Sequence, residues 1–361
     1  MAKHINKIKE LLNILNIDAA LIKSKTIKKY LDTVTGSGIH LFITKDKSYA
    51  ILDGRYVEEV KEKESDFEII ENTPAKSQKS HFDIINNIMN EHNYKVLGIE
   101  ASAYSITDYE KLKNYNFSVF LIEEELNEVR ILKDKHEIDV IKKACKITDD
   151  IFSKVLKHIK VGVSEREINA WIQYYSLISG ANKMSFDTIV TSGPRTALPH
   201  GRPTDRKINS NEPIMIDFGI EYENYQSDMT RMIFIGEPSE EIKNIYETVK
   251  RAQKAGVDAI KTGALSRDVD KVARDIIINA GYGEYYNHGL GHGIGIGDGA
   301  EQPYLNQSSN VILKDNMIMS CEPGIYIPGL GGVRIEDDVL IKDGIGVPLN
   351  NTTKEMIILE E

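Results

Sequence analysis

Two stretches set acidic residues, Asp217, Asp228, Glu322 and Glu336 among them, into runs that otherwise read as sheet interior: "PIMIDFGIEYENYQSDMTRMIFIG", residues 213–236, and "NMIMSCEPGIYIPGLGGVRIEDDVLI", residues 316–341. Apolar runs flanking polar or glycine-rich turns predict a β-hairpin in each. Asp217 and Asp228 fall in the arms of the first, Glu322 and Glu336 in the arms of the second. Pairing Asp217 with Asp228 centres the first turn between Tyr222 and Glu223. Pairing Glu322 with Glu336 centres the second on Gly329, which suits a turn. Cross-strand neighbours have Cβ atoms ~5 Å apart, so each hairpin offers a carboxylate pair.

An unpaired carboxylate among apolar neighbours is costly, and four close together repel unless protonated or bound to cations. A pair of divalent ions resolves the conflict. Carboxylates with one imidazole suit Mn²⁺ first, with Co²⁺, Fe²⁺ and Zn²⁺ as alternatives. For any single acid a salt bridge or a capped turn is the commoner role; four acids in two matched hairpins favour the metal.

The hairpins sit in a longer pattern. The first 125 or so residues alternate strand-like runs ("AALI", "HLFITK", "SYAILD", "FEII", "KVLGIE", "FSVFLI") with amphipathic helical runs ("INKIKELLNIL", "FDIINNIMNEH"), which predicts an α/β domain with a mixed sheet. The charged stretch "EEELNEVRILKDKHE" reads as a linker and places the boundary near 130. From Glu137 longer helices begin, with Ile141, Ala144, Ile147, Ile151 and Val155 spaced by three or four. A second helix opens on a capping box, Ser164 with Glu167, and stops at Gly180. The order helix, helix, hairpin then recurs, and "KVGVSEREI" from Lys160 resembles "KTGALSRDV" from Lys261. Residues 131–361 are therefore expected to hold two similar halves about a pseudo-twofold axis, giving an α+β chain of two domains, 1–130 and 131–361.

A length of 361 residues agrees with two domains, and a net charge of −10 disfavours nucleic acid or an anionic membrane as partner. The N-terminal residues lack a secretory pattern, no window approaches the ~20 apolar residues of a membrane span, and Cys145 and Cys321 make no disulfide framework. A cytoplasmic protein is expected. Cys321, beside Glu322, has no base partner at a recognised spacing, and strand alternation turns it away from that acid.

Between the hairpins lies "NHGLGHGIGIGDGAEQP", residues 287–303. As a nucleotide-binding signature it is weak, since it precedes no helix and crowds two histidines among the glycines.

Taken in order, "SFDTIVTSGPRTALPHGRPTD", "IMIDFG", "YQSDMTRM", "HGLGHGIG", "CEPGIYIPG" and "GGVRIEDDVLI" resemble the motifs of the creatinase and aminopeptidase P family, whose pita-bread catalytic domain also forms methionine aminopeptidase and prolidase. The N-terminal half, with "DGRY" at 53–56, is similar to the family's creatinase-like domain. The resemblance implies a dinuclear site held by Asp217, Asp228, His292, Glu322 and Glu336, with Asp228 and Glu336 bridging. It further implies that two metals acidify a shared water and polarise the scissile carbonyl while Glu322 acts as general base. His200 and His288 match histidines placed around the substrate, and Arg334 and Tyr326 match members of a hydrogen-bonded network; Arg334 could equally be only a salt-bridge partner of the acids. The implied activity is removal of an N-terminal residue that precedes proline, from dipeptides or longer peptides, by a homodimer.

One departure stands out. The family's further histidine, seven residues after the ligand histidine, falls here at Gly299, or at Ala300 if the one extra residue before Glu301 is allowed for. Neither side chain can donate a hydrogen bond, and loss of one such donor typically costs about 10² to 10³ in turnover. The competing expectations are a non-peptidase hydrolase or lyase on the same fold, and a catalytically weakened metal-binding homologue. Five intact ligands count against both.

Overall fold

The computed structural model describes residues 2–63, 66–73, 79–297 and 299–360. They fall into two compact units, Met1–Arg130 and Ile131–Glu361.

The first unit is built on a mixed six-stranded sheet, in the order Glu68–Glu71, Ser48–Leu52, Ile39–Thr44, Ala19–Ile22, Val96–Ile99, Ser118–Leu121. The three strands from Ala19 to Leu52 are buried along their whole length, as their near-continuous apolar sequence requires, while the two edge strands are largely exposed. Ser80 and Asp83 close a capping box on helix His81–Glu91, which packs Phe82, Ile85, Ile88 and Met89 into the core. The charged stretch expected to be a linker is instead helical over Glu123–Ile131. Three glutamates in its first turn and Arg130 in its last complement the helix dipole, and an absence of strand formers does not amount to an absence of order.

In the second unit, helices Lys135–Val155 and Glu165–Ile178 cover a four-stranded sheet ordered Ile357–Leu359, Thr230–Ile235, Pro213–Asp217, Ile189–Ser192. Helices Glu240–Ala259 and Ser266–Asn279 precede a five-stranded sheet ordered Glu301–Leu305, Gly291–Gly293, Ile318–Cys321, Asp337–Lys342, Ile345–Pro348. Each helix pair drives an apolar stripe into its half: Ile147, Ile151, Ile168 and Ile172 join Ile214 and Ile216, and Ile245, Val249, Ala273 and Ile277 join Met319, Val339 and Ile341. Each isoleucine, valine or methionine among them, fully buried, contributes roughly 1.5–3 kcal/mol.

The duplication extends to single hydrogen bonds. Gly162 and Gly263 both turn the chain with left-handed φ, 86° and 85°. Gly162 N donates to Ile208 O at 2.9 Å as Gly263 N donates to Leu313 O at 2.9 Å. Val163 O and Ala264 O in turn accept from Ile208 N and Leu313 N. An equal interval onward from Ile208 and from Leu313 arrives at Asp217 and Glu322. The two halves therefore deliver an acid from equivalent strands.

The first hairpin differs from expectation by its register. Asp217 faces Thr230, not Asp228, and Tyr222 faces Tyr225. The two-residue turn is Glu223–Asn224, with φ of 47° and 71°, the double left-handed conformation that fits the twist of a hairpin. Asp228 lies two residues before the strand that starts at Thr230, where the Met229–Phe218 backbone bonds continue the pairing, and its carboxylate comes within 4.8 Å of that of Asp217. In the second hairpin Cys321 faces Asp337 and Gly324 faces Arg334, which brackets Glu322 and Glu336 in the expected register.

Candidate metal centre

Strands from both halves bring their acids to one cavity of about 640 Å³, whose lining includes His200, Asp217, Asp228, His288, His292, Glu322, Arg334 and Glu336. Carboxylate oxygens of Asp217, Asp228 and Glu336 lie within 4.8 Å of one another, and all three residues are buried. Asp217 Oδ1, Asp228 Oδ1 and Glu336 Oε1 are each shielded from solvent without a hydrogen-bond partner. Three buried acids whose carboxylate oxygens approach one another, each with one unpartnered acceptor, fit a cation site.

Electrostatics say the same. Burial, followed by the negative charge of Glu336, pushes the Asp228 carboxyl well above the usual carboxylate range. Burial and the charge of Glu322 do this to Glu336. Asp217 is also raised by burial, although the guanidinium of Arg334 opposes the shift. Without cations the cluster retains protons that bound cations would displace.

His292 completes the set from the strand Gly291–Gly293, threaded between Glu301–Leu305 and Ile318–Cys321. The flanking glycines are steric necessities. A Cβ at Gly291 would lie 2.1 Å from Ser320 O, and one at Gly293 would lie 2.1 Å from Gln302 O. His292 Nδ1 donates to Gly293 O at 3.1 Å, which turns the Nε2 lone pair toward the acids. Nε2 stands 3.8 Å from Asp228 Oδ2 and 3.5 Å from Glu322 Oε1, too long for strong hydrogen bonds and suited to sharing a cation. Ser320 fixes both neighbours: its hydroxyl accepts from His292 N at 3.0 Å and donates to Glu322 Oε1 at 2.9 Å. Glu322 has the most accessible side chain of the four acids whose positions the hairpins set, 18% exposed against 11% for Asp228 and 8% for Asp217.

Arg334 lies beneath the acids, 3% exposed. It pairs with Asp217 and donates from Nε to Thr230 Oγ1 at 3.0 Å and from Nη1 to Tyr326 Oη at 2.8 Å and Pro199 O at 3.2 Å. Tyr326, accepting from arginine, donates onward to His288 Nε2 at 2.9 Å, and His288 Nδ1 donates to Gly289 O at 2.7 Å. The direction of this chain fixes the His288 tautomer, and burial lowers its pKa, so the ring is neutral. His200 is exposed on the cavity lining. Gly299 and Ala300 line it too.

Several supporting residues escaped the sequence reading. Thr230 donates to Glu336 Oε2 at 2.6 Å while accepting from Arg334, tying the two hairpins together. Asp338 accepts from Asp228 N at 2.9 Å and from Cys145 Sγ at 3.3 Å, and burial pushes its carboxyl up to about 8. Arg231, 1% exposed, pairs with Asp337 at 2.7 Å. Thr230 and Asp338 each stand two residues along the chain from a metal-ligand candidate, and that spacing was the available signal.

The model of metallopeptidase family M24 matches residues 139–343, and that of the creatinase/prolidase N-terminal domain matches residues 4–132. The chain is 36% identical over 360 residues to an Xaa-Pro dipeptidase of Pyrococcus horikoshii, covering 99% of each. Among solved structures it resembles an Xaa-Pro dipeptidase from Bacillus anthracis, with a TM-score of 0.93 and 34% identity over 99% of both chains. It also resembles an X-Pro aminopeptidase from Thermotoga maritima, with a TM-score of 0.88 and 33% identity over 95% of this chain and 98% of that one.

Proposed function

Because the chain belongs to metallopeptidase family M24, with a creatinase/prolidase N-terminal domain ahead of the catalytic one, we propose that it is a metal-dependent exopeptidase releasing the residue that precedes proline. The observation that carries this reading is the approach of carboxylate oxygens of the buried Asp217, Asp228 and Glu336 to within 4.8 Å of one another, beside His292 and Glu322. These five residues hold two divalent cations, Mn²⁺ by the hardness of the donor set, with Co²⁺, Fe²⁺ or Zn²⁺ able to substitute. The cations supply Lewis-acid polarisation of the scissile carbonyl and acidification of the attacking water.

The remaining work belongs to side chains. Glu322, held by Ser320 and the most accessible acid of the set, takes the proton from water and returns it to the prolyl nitrogen. A prolyl amide nitrogen carries no hydrogen, so this protonation is what lets it leave as a secondary amine. Arg334 anchors Asp217 and Tyr326, and through Tyr326 keeps His288 neutral and oriented on the cavity. His200 and His288 contact the substrate around the developing tetrahedral carbon. Gly299 and Ala300 line the cavity where the sequence led to the expectation of a further imidazole.

No helix among the described residues is long and apolar enough to cross a membrane. We read the protein as a cytoplasmic homodimer. The test is release of the first residue from Ala-Pro and Ala-Pro-Ala by chelator-treated protein before and after adding Mn²⁺. Metal-dependent release from at least one peptide is expected, and none from either refutes the reading.

A further inference from the structure

The internal duplication gives the chain two versions of one solvent-facing helix. Helices Glu165–Ile178 and Ser266–Asn279 follow Gly162 and Gly263 at the same interval, so Ala170 corresponds to Lys271, Trp171 to Val272, Tyr174 to Asp275 and Ile178 to Asn279. Both bury the corresponding inner positions, Ile168 and Ile172 in one, Val269 and Ala273 in the other. Their outer faces differ. The second helix is solvated by charge, with Lys271 and Asp275 in an exposed ion pair one turn apart. The first has no Asp, Glu, Lys or Arg from Ile168 to Asn182. There Trp171 is 38% exposed, Tyr174 50%, Leu177 68% and Ile178 59%, at helical spacing on the side away from the core. The fold is served equally by both helices, so it does not account for the apolar face.

We propose that this face joins two copies of the chain, helix against helix across a twofold axis. The aromatic end is set before docking: Trp171 stacks on His158 with centroids 4.2 Å apart and planes 9° from parallel, and His158 Nε2 bonds with the Tyr175 hydroxyl at 2.7 Å. Little side-chain freedom is left to lose on association. Exposed to this degree, the four side chains present roughly 500 Å², near the upper end for a monomer. A stable interface takes about 800 Å² from each copy, so they supply its apolar centre and need only a rim.

Charge favours a second copy as the occupant. At a net −10 two chains repel through their charged faces, and a face without charge is where they can meet. The stripe is also complementary to itself: an axis through Tyr174 lays Trp171 of one copy against Leu177 and Ile178 of the other. At its N-terminal end Arg166 pairs with Asp205 and Lys207 with Glu167, so these cations are engaged within the chain rather than offered to an anionic membrane.

The proposal takes up the homodimer reading and is independent of the peptidase one. Trp171 is the only tryptophan of the chain, so tryptophan fluorescence reports on this face alone. Sedimentation velocity of the full chain across a dilution series gives the assembly state, and iodide quenching gives access to Trp171. Quenching is expected to rise several-fold as the dimer dissociates. Ala170→Lys combined with Tyr174→Asp writes the second helix's ion pair into the first, and should raise the dissociation constant at least about 30-fold, as loss of a central aromatic anchor does. Should that variant misfold, the quenching series on the unaltered protein decides alone. A dimer whose Trp171 is quenched as readily as the monomer's uses another face and overturns the proposal, as does a folded variant that dimerises like the parent. A protein that stays monomeric at high micromolar concentration overturns it together with the homodimer reading. Shielding of Trp171 by phosphatidylglycerol vesicles, with the protein monomeric, assigns the face to lipid and overturns it too.

Discussion

The hydroxyl of Thr230 donates to Glu336 at 2.6 Å, joining an acid of the second hairpin to a strand of the first. The same oxygen accepts from Arg334 at 3.0 Å, so one side chain orients an acid of the centre and the guanidinium beneath it. Thr230→Val keeps the shape and removes both bonds. Metal affinity should fall about 10- to 100-fold, the usual effect of losing a partner that orients a ligand. Calorimetric titration with Mn²⁺ measures it, and unchanged affinity would assign Thr230 a packing role alone.

The buried acids make the stability of the metal-free protein depend on pH in a definite direction. Asp228 and Glu336 have folded pKa values well above the ~4 of the unfolded chain, and Asp217 is raised too. The folded state therefore binds more protons, and the contribution of these groups, fully present below pH 4, is lost as pH rises through their folded values. Chelated protein should show a falling Tm from pH 5 to pH 8. The metal-loaded protein should lack this decline, because cations replace the protons. Parallel profiles would refute the assignment of these acids as ligands.

Removing Arg334 breaks a buried ion pair from one side. Arg334→Met leaves Asp217 without its cation in a buried site, at a cost of about 3–5 kcal/mol by denaturant unfolding. Arg334→Lys retains charge but cannot serve Asp217, Thr230 and Tyr326 together. Its kcat should fall by about 10² or more, with less loss of stability than in the methionine variant.

A further imidazole near the reaction centre should raise turnover, and the backbone says where to put it. Gly299 has open space around a Cβ but a φ of 121°, which strains any side chain. Ala300 lines the cavity without that constraint. Ala300→His is therefore expected to raise kcat on a peptide of the Ala-Pro class by about 10-fold or more, and a decrease would show that the absent histidine is not what limits the rate.

The N-terminal unit carries its own acid sensitivity. His40 stacks on His81 with centroids 3.8 Å apart, its Nδ1 is buried without a partner, and burial pushes its pKa down to about 3. A lowered histidine contributes stability above the unfolded value of about 6.5 and loses it as pH falls from there toward 3. His40→Phe should flatten that part of the stability profile. A profile identical to the parent would place the acid sensitivity elsewhere.

Residue types that carry their own local physics were legible in the sequence. Apolar alternation exposed both hairpins, and Gly329 at the centre of the second gave its register. The first was misjudged by two residues because the turn follows the left-handed preference of Asn224, whereas matching two acids by position weighs only the strands. Strand Ile189–Ser192 escaped notice among polar neighbours, since its burial comes from helix Glu165–Ile178 and strand Pro213–Asp217 rather than from its own pattern. Ser320, Thr230 and Asp338 each stand two residues from a candidate ligand, but the bonds that link them to His292, Glu336 and Asp228 cross contacts that only the folded chain creates.

The repeated joints at Gly162 and Gly263 make the catalytic unit a covalent pair of like halves, and it is where the copies diverge that the centre gains a direction. Each half sends an acid from the strand that follows its joint, but the neighbouring strand carries His292 in one half and only Val190 and its companions in the other. A pair of identical chains assembled the same way would offer a substrate two equivalent approaches. Both halves bring acids to the cavity but only one adds an imidazole from the neighbouring strand, so a peptide entering between them meets a front and a back.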